Sequence, residues 1–385
     1  MDRMTAGHTR RAMGAALALS LLASACSAEN ATAQGEVQRS QHHPYRVERV
    51  AGGLQNPWGI AFLPSGDMLV TERPGRLRLI RGGTLQPEPI AGVPEVFARG
   101  QGGLLDVALH PHFATNRLVY LSYSKPGPEG ATTAVIRGRL DGNRLAEVEE
   151  IFEARAWSGT GLHFGSRLLF DREGYLFVSV GERGSQENAQ NLGNHAGKIM
   201  RLHDDGRVPT DNPFVGRSGV LPEIWAYGIR SPQGLAIHPA TGEIWESEHG
   251  PRGGDEINHI RPGRNFGWPV ITYGINYNGS PITDITSKEG MEQPAHQWTP
   301  SIAASGLAIY EGAAFPQWRG DYFVGALAGK HLARVRLRNG RTAEEEKLLT
   351  GLDGRIRDVR VGPDGFLYVL TDERDGGVYR IRPAS

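Results

Sequence analysis

The sequence holds a single cysteine, Cys26, so no disulfide can form within one chain. It has no surplus of either charge: Lys plus Arg and Asp plus Glu number 42 each. That balance removes any electrostatic argument for a nucleic-acid partner or an anionic membrane surface. The apolar run at residues 12–23 is too short to span a bilayer as a stable anchor. Also missing are a Rossmann fingerprint, a phosphate-cradling loop, a nucleophile elbow and the His/Cys spacing of a zinc site. Nucleotide-dependent chemistry and serine-type hydrolysis therefore have no motif to rest on.

What is abundant is turn-forming: 52 glycines and 24 prolines against a hydrophobic content of 39% predict short strands and tight turns rather than long helices. The N-terminus reads as a targeting segment. Arg10 and Arg11 precede the apolar run, and Ala23-Ser24-Ala25 supplies small residues before Cys26. Residues 1–25 are thus expected to be a signal peptide. Cys26 is either lipidated, with Ala23 standing where such signals usually carry Leu, or left free by ordinary cleavage. The paired arginines also leave the twin-arginine route open. Residues 26–44 are small and polar and read as a flexible linker. Residues 45–385 are expected to form one domain in an exported, periplasmic protein.

From Tyr45 onward one pattern recurs: a short apolar strand, a turn with Pro, Gly or Asp, and a second strand. It starts near Trp58, Leu104, Ser166, Gln233, Ser305 and Ile356, at intervals of roughly 50 to 70 residues. Each copy closes its second strand on a polar or charged residue such as Glu72, Glu182, Glu248 or Asp372. Six such units predict an all-β fold, a six-bladed β-propeller of four-stranded antiparallel blades. Residues 45–50 and 377–381 would close the ring with one strand from each end. Alternation alone would also allow a pair of β-sandwiches.

The stretch at residues 227–269 organises the rest. Residues 234–245 alternate like a half-buried strand pair. Arg230 and Gln233 precede it, while His249, Asp255 and Glu256 follow. Guanidinium, carboxylates and glycine-freed carbonyls at strand ends suit an anionic ligand beside a hard cation, and 250–256 reads as a calcium loop. His163 sits on a lead-in to a strand, where an imidazole can act as general base. Glu182 lies at the far end of the hairpin that His163 opens, so an antiparallel return would bring its carboxylate beside the ring. Arg355 and Arg357 alternate and point to one face. They read equally as ligand-binding groups and as exposed strand-edge charges.

With these residues assembled, the sequence resembles the soluble pyrroloquinoline quinone (PQQ)-dependent aldose sugar dehydrogenases. The resemblance rests on seven blocks in order: NPWGIAFLPSGDMLVTERPG, GQGGLLDVALHP, HFGSRLLFD, YGIRSPQGLAI, EHGPRGGDEIN, NFGWPVITYGINY and GRIRDVRVGPDG. It implies that PQQ and Ca2+ are cofactors and that an aldose is the substrate, oxidised at its C1 hydroxyl to a lactone. His163 would be the base, Glu182 the carboxylate that orients it, and Arg230 the cation at the reacting quinone carbonyl. Gln101, Ser231, Gln233, Tyr277, Ala326, Leu327, Ala328, Arg355, Ile356 and Arg357 would contact PQQ. Gly250 and Pro251 would offer carbonyls to the PQQ-bound calcium; Glu256 and the Phe266 carbonyl would hold a second, structural one.

Three departures from the family pattern stand out: Ser231 for Asn, Phe266 for Tyr, and Ala328 for Lys. Lys330, taken to lie on the same strand face as Ala328, would replace the missing lysine. Two other functions remain open at this point: a calcium-dependent propeller lactonase, and a non-catalytic sugar-binding propeller.

Overall fold

A computed structural model describes residues 36–384. The segment read as a signal, with Cys26, lies outside the described residues. Six antiparallel sheets form the fold, and the innermost strand of each packs against those of both neighbours, closing a ring. Those innermost strands are Pro57–Phe62, Leu104–Leu109, Leu168–Phe170, Pro232–Ile237, Ala304–Ile309 and Ile356–Val361. They coincide with the six repeat starts read from sequence, and the architecture is a six-bladed β-propeller.

The last blade joins the two ends of the chain. Pro44–Leu54 pairs antiparallel with Gly376–Pro383, as expected. This blade carries a fifth strand, Gln38–Arg39, beyond the four expected. The residues after it do not behave as a tether. Gln41 donates its amide to Glu346 at 2.6 Å, and the His43 ring packs edge-on against Phe315 and Trp318. The end of the predicted linker is therefore part of the fold.

The core is not one mass but six apolar layers, one at each interface between blades. This corrects the half-buried reading of residues 234–245. Pro232–Ile237 and Ile244–Glu248 are buried almost throughout, because each sheet is covered on both faces by its neighbours. The polar residues inside these strands are explained by the same stacking. Ser122 Oγ donates to the Ser166 carbonyl and Ser247 Oγ to the Ser305 carbonyl, both at 2.6 Å, each tying one blade to the start of the next. Burial of the hydroxyl costs little once that bond is made.

Antiparallel order places the start of each first strand and the end of each second strand at the same end of the ring. The loops that converge there are those the sequence marks with His163, Glu182, Arg230, Glu248 and Arg355.

Candidate active site

His163 lies in a loop leading to Leu168–Phe170, and Glu182 follows Leu176–Val180, the strand paired with it. The hairpin brings them together: His163 Nδ1 and Glu182 Oε1 are 2.7 Å apart, both side chains buried. His163 takes a left-handed backbone conformation with φ of 49°, unusual for a residue with a side chain. Its amide donates to Gln101 Oε1 at 2.8 Å. A carboxylate can only accept from a neutral ring, so Nδ1 carries the proton and Nε2 is left with its lone pair. Burial lowers the imidazole pKa, the bond to Glu182 raises it, and the nearby Arg230 charge lowers it; the net direction is down.

Arg230 precedes Pro232–Ile237. Its guanidinium donates to the carbonyls of His249 at 2.9 Å and Gly250 at 3.0 Å. The Glu248 carboxylate, at the end of the next strand, accepts the Arg230 and Ser231 amides and so fixes this turn. Two blades further round the ring, Arg357 donates to Gln233 Oε1 at 3.2 Å and pairs with Asp372 at 2.7 Å. Arg355 reaches the same carboxylate at 3.9 Å. Burial pushes the Asp372 pKa up, but the charge and hydrogen bond of Arg357 outweigh it and hold the group at about 2.

Next to these groups lies a cavity of about 480 Å³, within the range that encloses a drug-sized ligand; His163, Glu182 and Arg230 stand behind its lining and are not part of it. Gln101, Gln233, Tyr277, Leu327, Arg355 and Arg357 line it, as do Phe164 and Gly165, the two residues after His163. Trp58, Arg73 and Asp372 line it too and were not singled out as ligand contacts. Arg73 stands directly after Glu72, a position the strand-end pattern could have flagged. Ser231 is fully buried and accepts from Gln233 Nε2, while Ala326 and Ile356 are buried beneath the wall. None of these three lines the cavity.

Lys330 requires a correction. Residues 327–330 form a turn rather than a strand, and Lys330 has a left-handed φ of 50°. The alternation that would put it on the face of Ala328 is lost there. Both residues are exposed, and Lys330 pairs with Asp353 at 2.7 Å, away from the cavity.

A void of about 10 Å³ adjoins the cavity, with His249 on the boundary of both. Gly250, Glu256 and Phe266 line it; Pro251 is buried but does not. The volume is about that of one water or ion. Its surroundings are oxygen-rich and acidic. Glu246, Glu248 and Glu256 are buried together and share one donor, Asn258 Nδ2, at 3.2–3.3 Å. Burial and then mutual repulsion raise the pKa of Glu246 and Glu256. At Gly250 a Cβ would lie 2.2 Å from the Gly253 carbonyl oxygen, so those carbonyls crowd the loop. Hard oxygen donors of this kind suit calcium. Among the described residues, however, no three His, Cys, Asp or Glu side chains are grouped as metal ligands; backbone carbonyls would have to supply much of the set.

The fit to PQQ, a flat ring bearing carboxylates, rests on atoms without partners. Arg73 Nε, Arg230 Nε, Arg357 Nε, His249 Nδ1 and Glu182 Oε2 are buried with no hydrogen-bond partner in the protein. Unmade bonds of this kind are costly unless something else makes them, and the excess of guanidinium over carboxylate favours an anion.

Comparison with known proteins agrees with this geometry. The family model described as Glucose / Sorbosone dehydrogenase matches residues 54–380. The aldose sugar dehydrogenase YliI of Escherichia coli is 47% identical over 343 residues, spanning 88% of this chain and 92% of that protein. A glucose dehydrogenase crystal structure is 50% identical with a TM-score of 0.85, covering 88% of this chain and 99% of its own. The PQQ-bound form of aldose sugar dehydrogenase from Streptomyces coelicolor is 28% identical with a TM-score of 0.73, covering 90% and 98%.

Proposed function

The chain belongs to the glucose/sorbosone dehydrogenase family, the soluble PQQ-dependent sugar dehydrogenases, and from that premise we propose that it is a PQQ- and calcium-dependent enzyme oxidising the C1 hydroxyl of aldoses to lactones. The observation that carries this reading is the 2.7 Å imidazole–carboxylate pair beside a cavity walled by guanidiniums with unused donors. The PQQ-bound relative supports the choice of cofactor.

Arg355, Arg357 and Arg73 would hold the carboxylates of PQQ, and Arg230 would face the quinone oxygen that becomes negative. Carbonyls of Gly250 and Pro251 would hold the calcium at the quinone, with Glu256 and Phe266 at the second ion. When bound, PQQ would accept hydride and calcium would make its quinone more electrophilic. His163 Nε2 takes the C1 hydroxyl proton while the C1–H bond breaks and its electron pair leaves with the hydride, so a C1=O bond forms. Glu182 keeps the ring in the tautomer that can accept and stabilises the imidazolium that results. An external electron acceptor would be required to complete the cycle.

We propose that the protein is exported to the periplasm, with Cys26 either lipidated as a membrane anchor or left free by ordinary cleavage; the intact mass of the mature protein decides between the two. The activity is tested by adding PQQ and calcium to the mature chain and following dye reduction with a panel of aldoses. Turnover that needs both additions is expected. A folded chain with no PQQ-dependent turnover on any aldose would overturn the reading.

A further inference from the structure

Arg183 is among the largest fully buried side chains of the protein, 1% exposed, and no ion pair is formed by it among the described residues. A buried cation without a carboxylate partner is expensive. Burial lowers its pKa to about 10, against the neighbouring Glu182 charge, which raises it, so it remains charged at neutral pH. Its partners are main-chain oxygens: Nε donates to Ala156 at 3.2 Å, Nη2 to Ala131 at 3.1 Å, and Nη1 to the carbonyl of Leu162. Its guanidinium carbon stands 3.6 Å from the centre of the Phe164 ring, a close cation–π contact. Leu162 and Phe164 are the residues on either side of His163. Arg183 itself follows Glu182, the partner of His163, and its backbone is also left-handed, φ 65°. Its own carbonyl accepts from Ser158 Oγ and Thr160 Oγ1 at 3.2 and 3.0 Å, which pins the other end of the same loop.

The backbone of His163 lies in a region costly for a residue with a side chain, and such conformations persist only where the surroundings fix them. Gly181 packs so tightly on this turn that a Cβ there would meet the His163 carbonyl oxygen at 2.3 Å. That contact limits the turn from one side, and the Gln101 bond to the His163 amide limits it from another. Arg183 supplies the remaining grip, on both neighbours of His163 at once.

We propose that Arg183 is a positioning residue for the base: its guanidinium, seated on three main-chain carbonyls and the face of Phe164, holds residues 162–164 in the left-handed turn that sets the His163 imidazole against Glu182. The catalytic part of this inference rests on the reading of His163 as the base; the geometric part does not. Proximity effects are steep, and a displacement of about 1 Å in a reacting group costs on the order of 100-fold in rate. The role therefore belongs to kcat and not to substrate binding.

The test compares wild type with Arg183→Lys and Arg183→Met, and with Phe164→Leu, which removes the ring but leaves the guanidinium. In the chain without cofactor, 15N-labelled histidine shows the Nδ1 proton of the His163–Glu182 bond as a downfield resonance, assigned by its absence in His163→Asn. That resonance is expected to weaken or vanish in all three variants. In wild type and the two Arg183 variants loaded with PQQ and calcium, kcat is expected to fall about tenfold for Arg183→Lys and about 100-fold for Arg183→Met. KM for the aldose should move less than about twofold, with PQQ kept saturating because the Phe164 ring released in these variants lines the cavity. Phe164 lines the cavity, so Phe164→Leu is read by the resonance alone. If Arg183→Met does not fold, Arg183→Lys and Phe164→Leu decide the matter. A folded Arg183→Lys with the resonance and kcat of wild type overturns the proposal. So does a loss of thermal stability with the resonance intact, which is the mark of a purely structural residue. A wild type without sugar oxidation refutes the proposed function, while the resonance still tests the grip on the turn.

Discussion

Two sets of buried ionisable groups lie along the propeller axis, and they are built on opposite plans. At the loop end, Arg230, His249 and Arg357 each keep a buried nitrogen with no partner. Farther along the innermost strands, Arg167 is 1% exposed and fully engaged. It meets Asp106 at 3.2 Å and Asp358 at 3.1 Å, donates to the carbonyls of Gln233 and Arg357, and stacks 4.1 Å from the Trp58 ring. Arg360 closes the cluster from the other side, reaching both aspartates at 3.1 Å. A network that satisfies all its members serves the fold; one that leaves donors open has room for something else. The two are also connected, since Arg167 grips the backbone of two residues that line the cavity.

The sharpest way to separate the two sets is to break each in turn. His163→Asn removes the proposed base and is expected to lower kcat about 1,000-fold, with denaturation midpoints close to wild type. Arg167→Met leaves two buried carboxylates with Arg360 as their one remaining cation. A loss of about 3–5 kcal/mol in urea unfolding is expected, and a loss below about 1 kcal/mol would remove the axial cluster from the list of structural supports. Arg357→Ala is intermediate. It should raise the PQQ dissociation constant roughly 10- to 100-fold, the worth of a hydrogen bond to a charged group. Stability should fall too, by less than for Arg167→Met, because the buried Asp372 loses the cation that holds its pKa down but keeps Asn56 at 3.1 Å and Arg355 at 3.9 Å.

Lys198 extends the comparison with the smallest effect. It is a buried amine surrounded by acceptors, the carbonyls of Asn188 and Ala196 and the side chain of Asn194, with no carboxylate among them. Burial lowers its pKa from 10.5 to about 7. Between those values the unfolded chain binds more protons than the folded one, so stability rises with pH across that window. Urea midpoints at pH 7.5 and 9.5 should show this rise in wild type and a smaller one in Lys198→Met. Equal slopes would mean that the amine titrates normally.

The same contrast explains what was legible beforehand. The six apolar–turn–apolar units were visible because each innermost hairpin must be apolar and must turn tightly, and those demands repeat around the ring. The His163–Glu182 pair was visible because hairpin pairing fixes which residues meet. Arg183 and Arg167 were not, since they bind mainly main-chain oxygens or partners from distant blades, and no residue spacing records that. Lys330 was misplaced because alternation was carried through a turn where the left-handed backbone breaks it. Residues 234–245 looked half-buried because period-two patterning describes one covered face, whereas stacked blades cover both. The strand at Gln38–Arg39 sits in a short polar stretch held by pairing with Pro44 and Tyr45 of its own sheet and by the Gln41 bond to Glu346 of the neighbouring blade, contacts that its composition does not record.

The most direct test is a titration of the calcium-loaded chain with PQQ, followed by the absorbance of the quinone, on wild type and Arg357→Ala side by side. One PQQ per chain is predicted, bound saturably by wild type and more weakly by the variant. A wild-type chain that does not bind PQQ, or that binds it with the same affinity after Arg357 is removed, would contradict the view that the guanidiniums of the cavity, with donors left unused, are there to hold it.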